Sequence, residues 1–91
     1  MNKLVTVQEF EEQVWTVEGI RLVVRAPENA RVPEYDYQNA ANSTFSLTKW
    51  LTTRVEPALD GTNYQVTVIQ GNGEEPHGRN LLKKVRATYG D

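Results

Sequence analysis

The 91-residue chain contains no cysteine and a single histidine, and its apolar stretches stop far short of a membrane span. Without cysteine there is no disulfide framework, no thiol nucleophile and no thiolate metal site. Stability has to come from packing, and the composition suits a reducing cytoplasm. A membrane helix needs roughly 18 or more apolar residues in succession, and the N-terminal "MNKLVTVQEF" has one lysine and no apolar core of signal-peptide length. The expected location is therefore cytoplasmic, with no membrane partner, and Asn42-Ser43-Thr44 reads as a chance match to a glycosylation acceptor. A strong excess of either charge is missing too. Ten Lys and Arg against twelve Asp and Glu leave a net charge of -2, so nucleic acid would have to be held by a local patch rather than by the whole surface.

What is present describes a folded domain with a wet surface. The hydrophobic fraction is 38%, the charged fraction 24%, and eight residues are aromatic, which argues against disorder. This length suits a single core and leaves no room for a second domain with a deep cleft. Charge is distributed unevenly. Residues 1–38 hold seven acids against four bases, whereas residues 79–86 hold four bases and no acid.

Thr6 and Glu9 have the spacing of a capping box, and Val7, Phe10, Val14 and Val17 follow on one helical face. Gly19 is placed to close that helix in a left-handed conformation. A competing reading makes Val14–Val17 a strand turning at Glu18-Gly19, because all four residues favour strands. In "IRLVVRA" the alternation of Ile20, Leu22 and Val24 with Arg21 and Arg25 predicts a half-buried strand. Residues 27–45 show no helical period and carry two prolines, so they form either a short strand around "EYDYQ" or a surface loop with a task. Ser46 caps a second helix with Leu47, Trp50, Leu51 and Val55 on one side, ending near Val55 or Glu56 because of Pro57. Asp60-Gly61 then turns into a strand in which Tyr64, Val66 and Val68 alternate with polar residues. A last helix, Leu81–Tyr89, is capped by Asn80 and stopped by Gly90, with Leu81, Leu82, Val85 and Tyr89 inward. Both tryptophans fall in periodic apolar patterns and read as core. The fold class is α+β: one small domain, a short sheet of two strands plus at least one more, and about three helices packed on it.

Gly73 and Gly78 in "GEEPHGRN" have the spacing and flanks of a phosphate loop, which needs G-x-x-x-x-G-K-[ST] between a strand and a helix. Here arginine and asparagine stand at the last two positions, and Glu74 and Glu75 put two negative charges where a polyphosphate would sit. That electrostatics works against nucleotide binding, the glycine turn before a helix is the preferred reading, and no cofactor is expected. His77 has no evident nucleophile or orienting carboxylate, and no ligand spacing supports a metal site, so a small enzyme or metal protein centred on it is the lowest reading.

Two surface features remain. Arg79, Lys83, Lys84 and Arg86 line exposed parts of the last helix and would meet nucleic-acid phosphates, or serve only as a solvated helix end. In "PEYDYQ", Glu34 and Asp36 alternate with Tyr35 and Tyr37, a composition that suits protein recognition if the loop is exposed, or a short strand with its tyrosines packed inward. The expected function is a small non-catalytic binding protein with a protein partner, of a kind that would suit a phage or mobile-element accessory inhibitor of a host complex. The alternative is a weak nucleic-acid binder using the basic helix.

Overall fold

A computed structural model of the chain describes residues 3–59, 62 and 64–89. The elements run β1 (Leu4–Thr6), α1 (Val7–Glu18), β2 (Arg21–Arg25), β3 (Arg31–Pro33), α2 (Leu47–Trp50, extended by a π-helical turn Leu51–Val55 and a 3₁₀ turn Glu56–Leu59), β4 (Gln65–Ile69) and α3 (Leu82–Ala87). The class is α+β. Among the described residues the strands form two antiparallel ribbons, β1 with β3 and β2 with β4, instead of one sheet. No described helix is long and apolar enough to cross a membrane.

The N-terminal helix starts where the capping box put it. Thr6 accepts from the Glu9 amide at 3.1 Å while Glu9 Oε1 accepts from the Thr6 amide at 3.0 Å. The helix continues through Val14–Val17, so the hairpin reading of that stretch is overturned: Phe10 and Val14 are fully buried, and Gly19 closes the last turn at φ 69° with its N–H donating to the Trp15 carbonyl. Trp15 is not core. It lies one position beyond Val14, about 100° round the helix, and stays 42% exposed, whereas Trp50 is fully buried.

β2 and β4 pair in register from Arg21 opposite Ile69 to Arg25 opposite Gln65, which turns Leu22, Val24 and Val68 inward. Of the two readings of residues 27–45, the strand around "EYDYQ" does not form and the irregular segment does; the second ribbon pairs β3 with β1. α2 leaves the α-helical path at Trp50, earlier than Pro57 alone suggests. Pro57 has no N–H to donate and its ring crowds the carbonyl four residues back. The chain answers with a widened turn in which the Glu56 N–H reaches the Leu51 carbonyl, and the Thr53 hydroxyl donates to the Lys49 carbonyl at 2.7 Å. α3 is shorter than Leu81–Tyr89, and Leu81, not Asn80, occupies its N-cap without a side-chain cap. The turn at Asp60-Gly61 and the stop at Gly90 lie outside the described residues.

One core joins both ribbons and all three helices: Phe10, Val14, Leu22, Val32, Trp50, Val55, Leu82 and Val85 belong to the same buried cluster. Around its rim runs the irregular segment 34–46, between β3 and α2, and its path is set by contacts from several elements.

Candidate functional site

The organising side chain is Glu18, the last residue of α1 and, among the described residues, the only charged one that is buried. Phe10, Val14 and Glu18 follow one another at four-residue spacing, so the helical stripe that buries two apolar side chains also buries this carboxylate. A lone buried charge is costly, and it persists only when paired and hydrogen-bonded. Here every acceptor position is used. Oε1 accepts from the Ala41 amide at 2.8 Å and Arg86 Nη2 at 2.9 Å; Oε2 accepts from the Tyr35 hydroxyl at 2.5 Å and Arg54 Nη1 at 2.7 Å. The Trp50 indole N–H donates to the same Tyr35 hydroxyl at 3.0 Å. Burial alone would raise the Glu18 pKa, but the hydrogen bonds from Tyr35, Ala41 and Arg54 outweigh it and hold the carboxyl below its ordinary value. Burial, then the bond to Glu18, pushes the Tyr35 phenol well above its ordinary value.

The two arginines reach this carboxylate from distant parts of the chain and fasten the irregular segment as they do so. Arg54, on the π-helical turn, also donates to the Asn39 carbonyl at 2.8 Å, and its guanidinium carbon stands 4.3 Å from the centre of the Tyr37 ring. Arg86, on α3, donates to the Glu18 carbonyl at 2.7 Å, the Ala41 carbonyl at 3.0 Å and the Ser43 hydroxyl at 3.3 Å. Further bonds fix the ends: Glu34 N–H to the Lys3 carbonyl, Tyr35 N–H to Gln13 Oε1, Leu82 N–H to the Phe45 carbonyl and Lys83 N–H to the Ser43 carbonyl. A segment without regular structure is thus tied down along most of its length.

This arrangement divides the residues expected to make surface contacts. Tyr35 is not exposed: it is 5% accessible, its ring packs edge-on against Phe10 at 5.8 Å, and its hydroxyl is bound to Glu18. Arg86 is likewise no free base of a surface stripe, because its guanidinium is committed to Glu18 and the segment's backbone. Glu34, Asp36 and Tyr37 remain outward, with Tyr37 37% exposed. They line an open cleft of about 320 Å³ with Pro33, Arg54, Pro57 and Ala58. Arg79, Lys83 and Lys84 are exposed, and among the described residues the only ion pairs are the two made by Glu18.

Comparison with protein families, with curated proteins and with solved structures finds no match to this chain. The functional reading rests on the geometry alone.

The glycine loop before α3 presents carbonyls rather than amides to its neighbour. Leu47 N–H donates to the Asn80 carbonyl at 2.8 Å and Thr48 N–H to the Gly78 carbonyl at 3.0 Å, so the loop satisfies the free donors at the start of α2. A Cβ at Gly78 would stand 2.3 Å from Thr48 Oγ1, so a larger residue there would have to turn aside the Thr48 hydroxyl, which donates to the Gly78 carbonyl at 3.1 Å. His77 is exposed, and its Nδ1 accepts from the Arg79 amide at 3.1 Å. Among the described residues no group of three histidine or carboxylate side chains is arranged to hold a metal ion.

Glu18 is the functional residue that composition and motif reading pass over. The signal was available: an acid that continues an apolar stripe at four-residue spacing has to find cations in the interior.

Proposed function

We propose that the chain is a small non-catalytic binding protein whose partner is another protein, contacted through the outward side chains of residues 34–37. The supporting observation is the fastening of an irregular segment by a buried Arg54–Glu18–Arg86 group. Loops lose binding energy to ordering when they meet a partner, and one that is already held loses little. Tyr37 offers ring area next to the carboxylates of Glu34 and Asp36, a combination suited to a partner's arginine or lysine with apolar surroundings. Such a protein would act by occupancy, and the inhibitor role is proposed on size and composition alone.

The decisive experiment is an affinity pull-down from the native host with and without nuclease. A stoichiometric protein complex is expected, resistant to nuclease and lost when Tyr37→Ala is combined with Asp36→Lys while circular dichroism stays unchanged. Recovery of only RNA or DNA, or a complex indifferent to both substitutions, would overturn the proposal.

One observation favours a second reading. Arg79, Lys83 and Lys84 stand exposed with no ion pair among the described residues. If they grip phosphates, binding to a single-stranded oligonucleotide should weaken steeply with added salt and with Lys83→Glu; indifference to both ends that reading.

A further inference from the structure

The loop between β4 and α3 carries a reactive pair that neither surface reading uses. Of seven asparagines, only Asn72 is followed by glycine; the others precede Lys3, Ala30, Ala40, Ser43, Tyr64 and Leu81. The pair stands at the tip of a short closed loop. The Gln70 amide donates to the Glu74 carbonyl at 2.9 Å and the Gly73 amide to the Gln70 carbonyl at 2.8 Å, while the Gly71 amide, donating to Thr88 Oγ1 at 2.7 Å, fastens the loop to the end of α3. Asn72 and Gly73 are both exposed. Gly73 adopts φ 86°, and no described atom lies within 4 Å of the position a Cβ would take there.

This geometry favours attack by the chain on its own side chain. The Glu74 amide donates to Asn72 Oδ1 at 3.0 Å. That bond folds the carboxamide back over the peptide that follows it and draws electron density from Cγ, as a donor to a carbonyl oxygen does ahead of nucleophilic attack. The nucleophile is the Gly73 nitrogen, and with no Cβ on its residue nothing screens the approach. Its N–H must first leave the Gln70 carbonyl. At an exposed loop tip that opening is local and leaves the core folded.

Asn42 supplies a comparison within the same fold. Its Oδ1 accepts from the amide two residues on, Thr44, at 2.9 Å, and it too is exposed. The residue between is Ser43, whose carbonyl is bound by the Lys83 amide and whose hydroxyl is bound by Arg86. The side-chain contact is common to both sites, and only Asn72 has a bare glycine after it.

We propose that Asn72 is a site of spontaneous modification, at which the chain converts its own asparagine to aspartate and isoaspartate. The Gly73 nitrogen bonds to Asn72 Cγ, its proton passes through water to the side-chain nitrogen, and the bond between Cγ and that nitrogen breaks, releasing ammonia and leaving a cyclic succinimide. Water then opens the ring. Attack at Cγ yields aspartate; attack at the Asn72 backbone carbonyl yields isoaspartate, in which the main chain runs through the former side chain. In sum one water is consumed and one ammonia released, with no oxidation or reduction. Either product sets a third carboxylate beside Glu74 and Glu75, and isoaspartate also adds a methylene to the backbone of the loop. The inference is independent of which partner the protein binds.

The test incubates the full-length chain in neutral buffer at physiological temperature beside the free peptide Gly71–Pro76. Fragments are followed by mass spectrometry, and isoaspartate is read by methyl transfer from a carboxyl methyltransferase specific for it. Conversion at Asn72 is expected in the folded chain at a rate comparable with the peptide's, with both products formed and Asn42 unchanged. Asn72→Gln should remove the methyl acceptor, and Gly73→Ala should slow conversion severalfold; circular dichroism verifies that both variants fold. An intact Asn72 after the peptide is consumed, equal conversion at Asn42, or an undiminished rate in Gly73→Ala would overturn the proposal. So would conversion that begins only when urea is added, because the reaction would then belong to the unfolded chain.

Discussion

Replacing Glu18 with glutamine asks whether the charge of this side chain, and not only its shape, holds the 34–46 segment. The amide keeps the outline and one oxygen. Each carboxylate oxygen now accepts from two donors, so in either orientation two donors would face an NH₂ group. Arg54 and Arg86 would also lose their shared counter-ion. Breaking a buried pair by removing one partner costs about 3–5 kcal/mol. Both arginine side chains keep 20% of their accessibility, and water screens them in part, so the lower end, about 3 kcal/mol, is the expected loss. Domains of this size are stable by about 5–15 kcal/mol, and each kcal/mol moves the midpoint by about 4–8 °C. Thermal circular dichroism should therefore show Tm falling by roughly 12–24 °C. Amide exchange should accelerate first at Ala41, whose N–H loses its charged acceptor. A midpoint within about 3 °C of wild type, with the Ala41 amide still protected, would refute the reasoning.

Replacing the whole group separates stability from loop order. Buried ion triads exchanged for well-packed apolar side chains are often neutral or stabilising, so Glu18→Leu with Arg54→Met and Arg86→Met should recover most of the lost midpoint. The carbonyls of Asn39 and Ala41 would then have no arginine to meet. Exchange across 36–44 should stay fast although the core is restored.

The remaining predictions concern pH, one glycine and the tryptophans. The Glu18 pKa is depressed in the folded state, so its contribution is present above the unfolded value near 4.3 and lost as pH falls through the folded one; acid unfolding monitored by ellipticity should become flatter in Glu18→Gln. Tyr35 and Tyr89 are both raised, chiefly by burial. Their contribution is complete below about pH 10 and lost as pH climbs through the folded values, so in an absorbance titration their phenolates should form together with unfolding. Gly71→Ala would put a Cβ 1.6 Å from the Thr88 carbonyl oxygen, which is backbone and cannot swing aside. A loss of about 1–3 kcal/mol in urea unfolding is expected, and an unchanged midpoint would contradict the packing of that turn. Iodide should quench the emission of Trp15, 42% exposed, and leave that of the fully buried Trp50.

The parts of this fold that could be read from sequence are those whose causes are local. Thr6 and Glu9 interact across three residues, Gly19 ends its own helix, and the alternation in β2 and β4 depends only on which side of a strand is wet. β3 was missed because three residues cannot show a period, and its partner strand ends before α1 begins. The π-helical turn was missed because a one-residue shift in hydrogen bonding leaves the apolar spacing of Leu51 and Val55 intact. Trp15 was misplaced because its residue type was weighed above its angle on the helix. Arg54 and Arg86 lie 36 and 68 residues from Glu18, beyond any spacing rule, so the sequence shows Arg86 only as a candidate phosphate contact or solvated helix end and gives Arg54 no role.

That long-range origin bears on how the surface can be used. The group contains two cations and one carboxylate, and the surplus positive charge is met by the carbonyls of Asn39, Ala41 and Glu18. The course of the segment is thereby set largely by arginines on α2 and α3 rather than by the segment's outward side chains. Asp36 donates none of the bonds that tie it down, whereas the Tyr37 ring packs on Arg54 and Tyr35. Substitution at Asp36 should alter what the surface recognises without moving the backbone that presents it. Changes at Glu18 should do the reverse, disordering the surface while leaving its chemistry intact, so a partner's affinity would fall in both cases but only the second would be accompanied by faster amide exchange at Ala41.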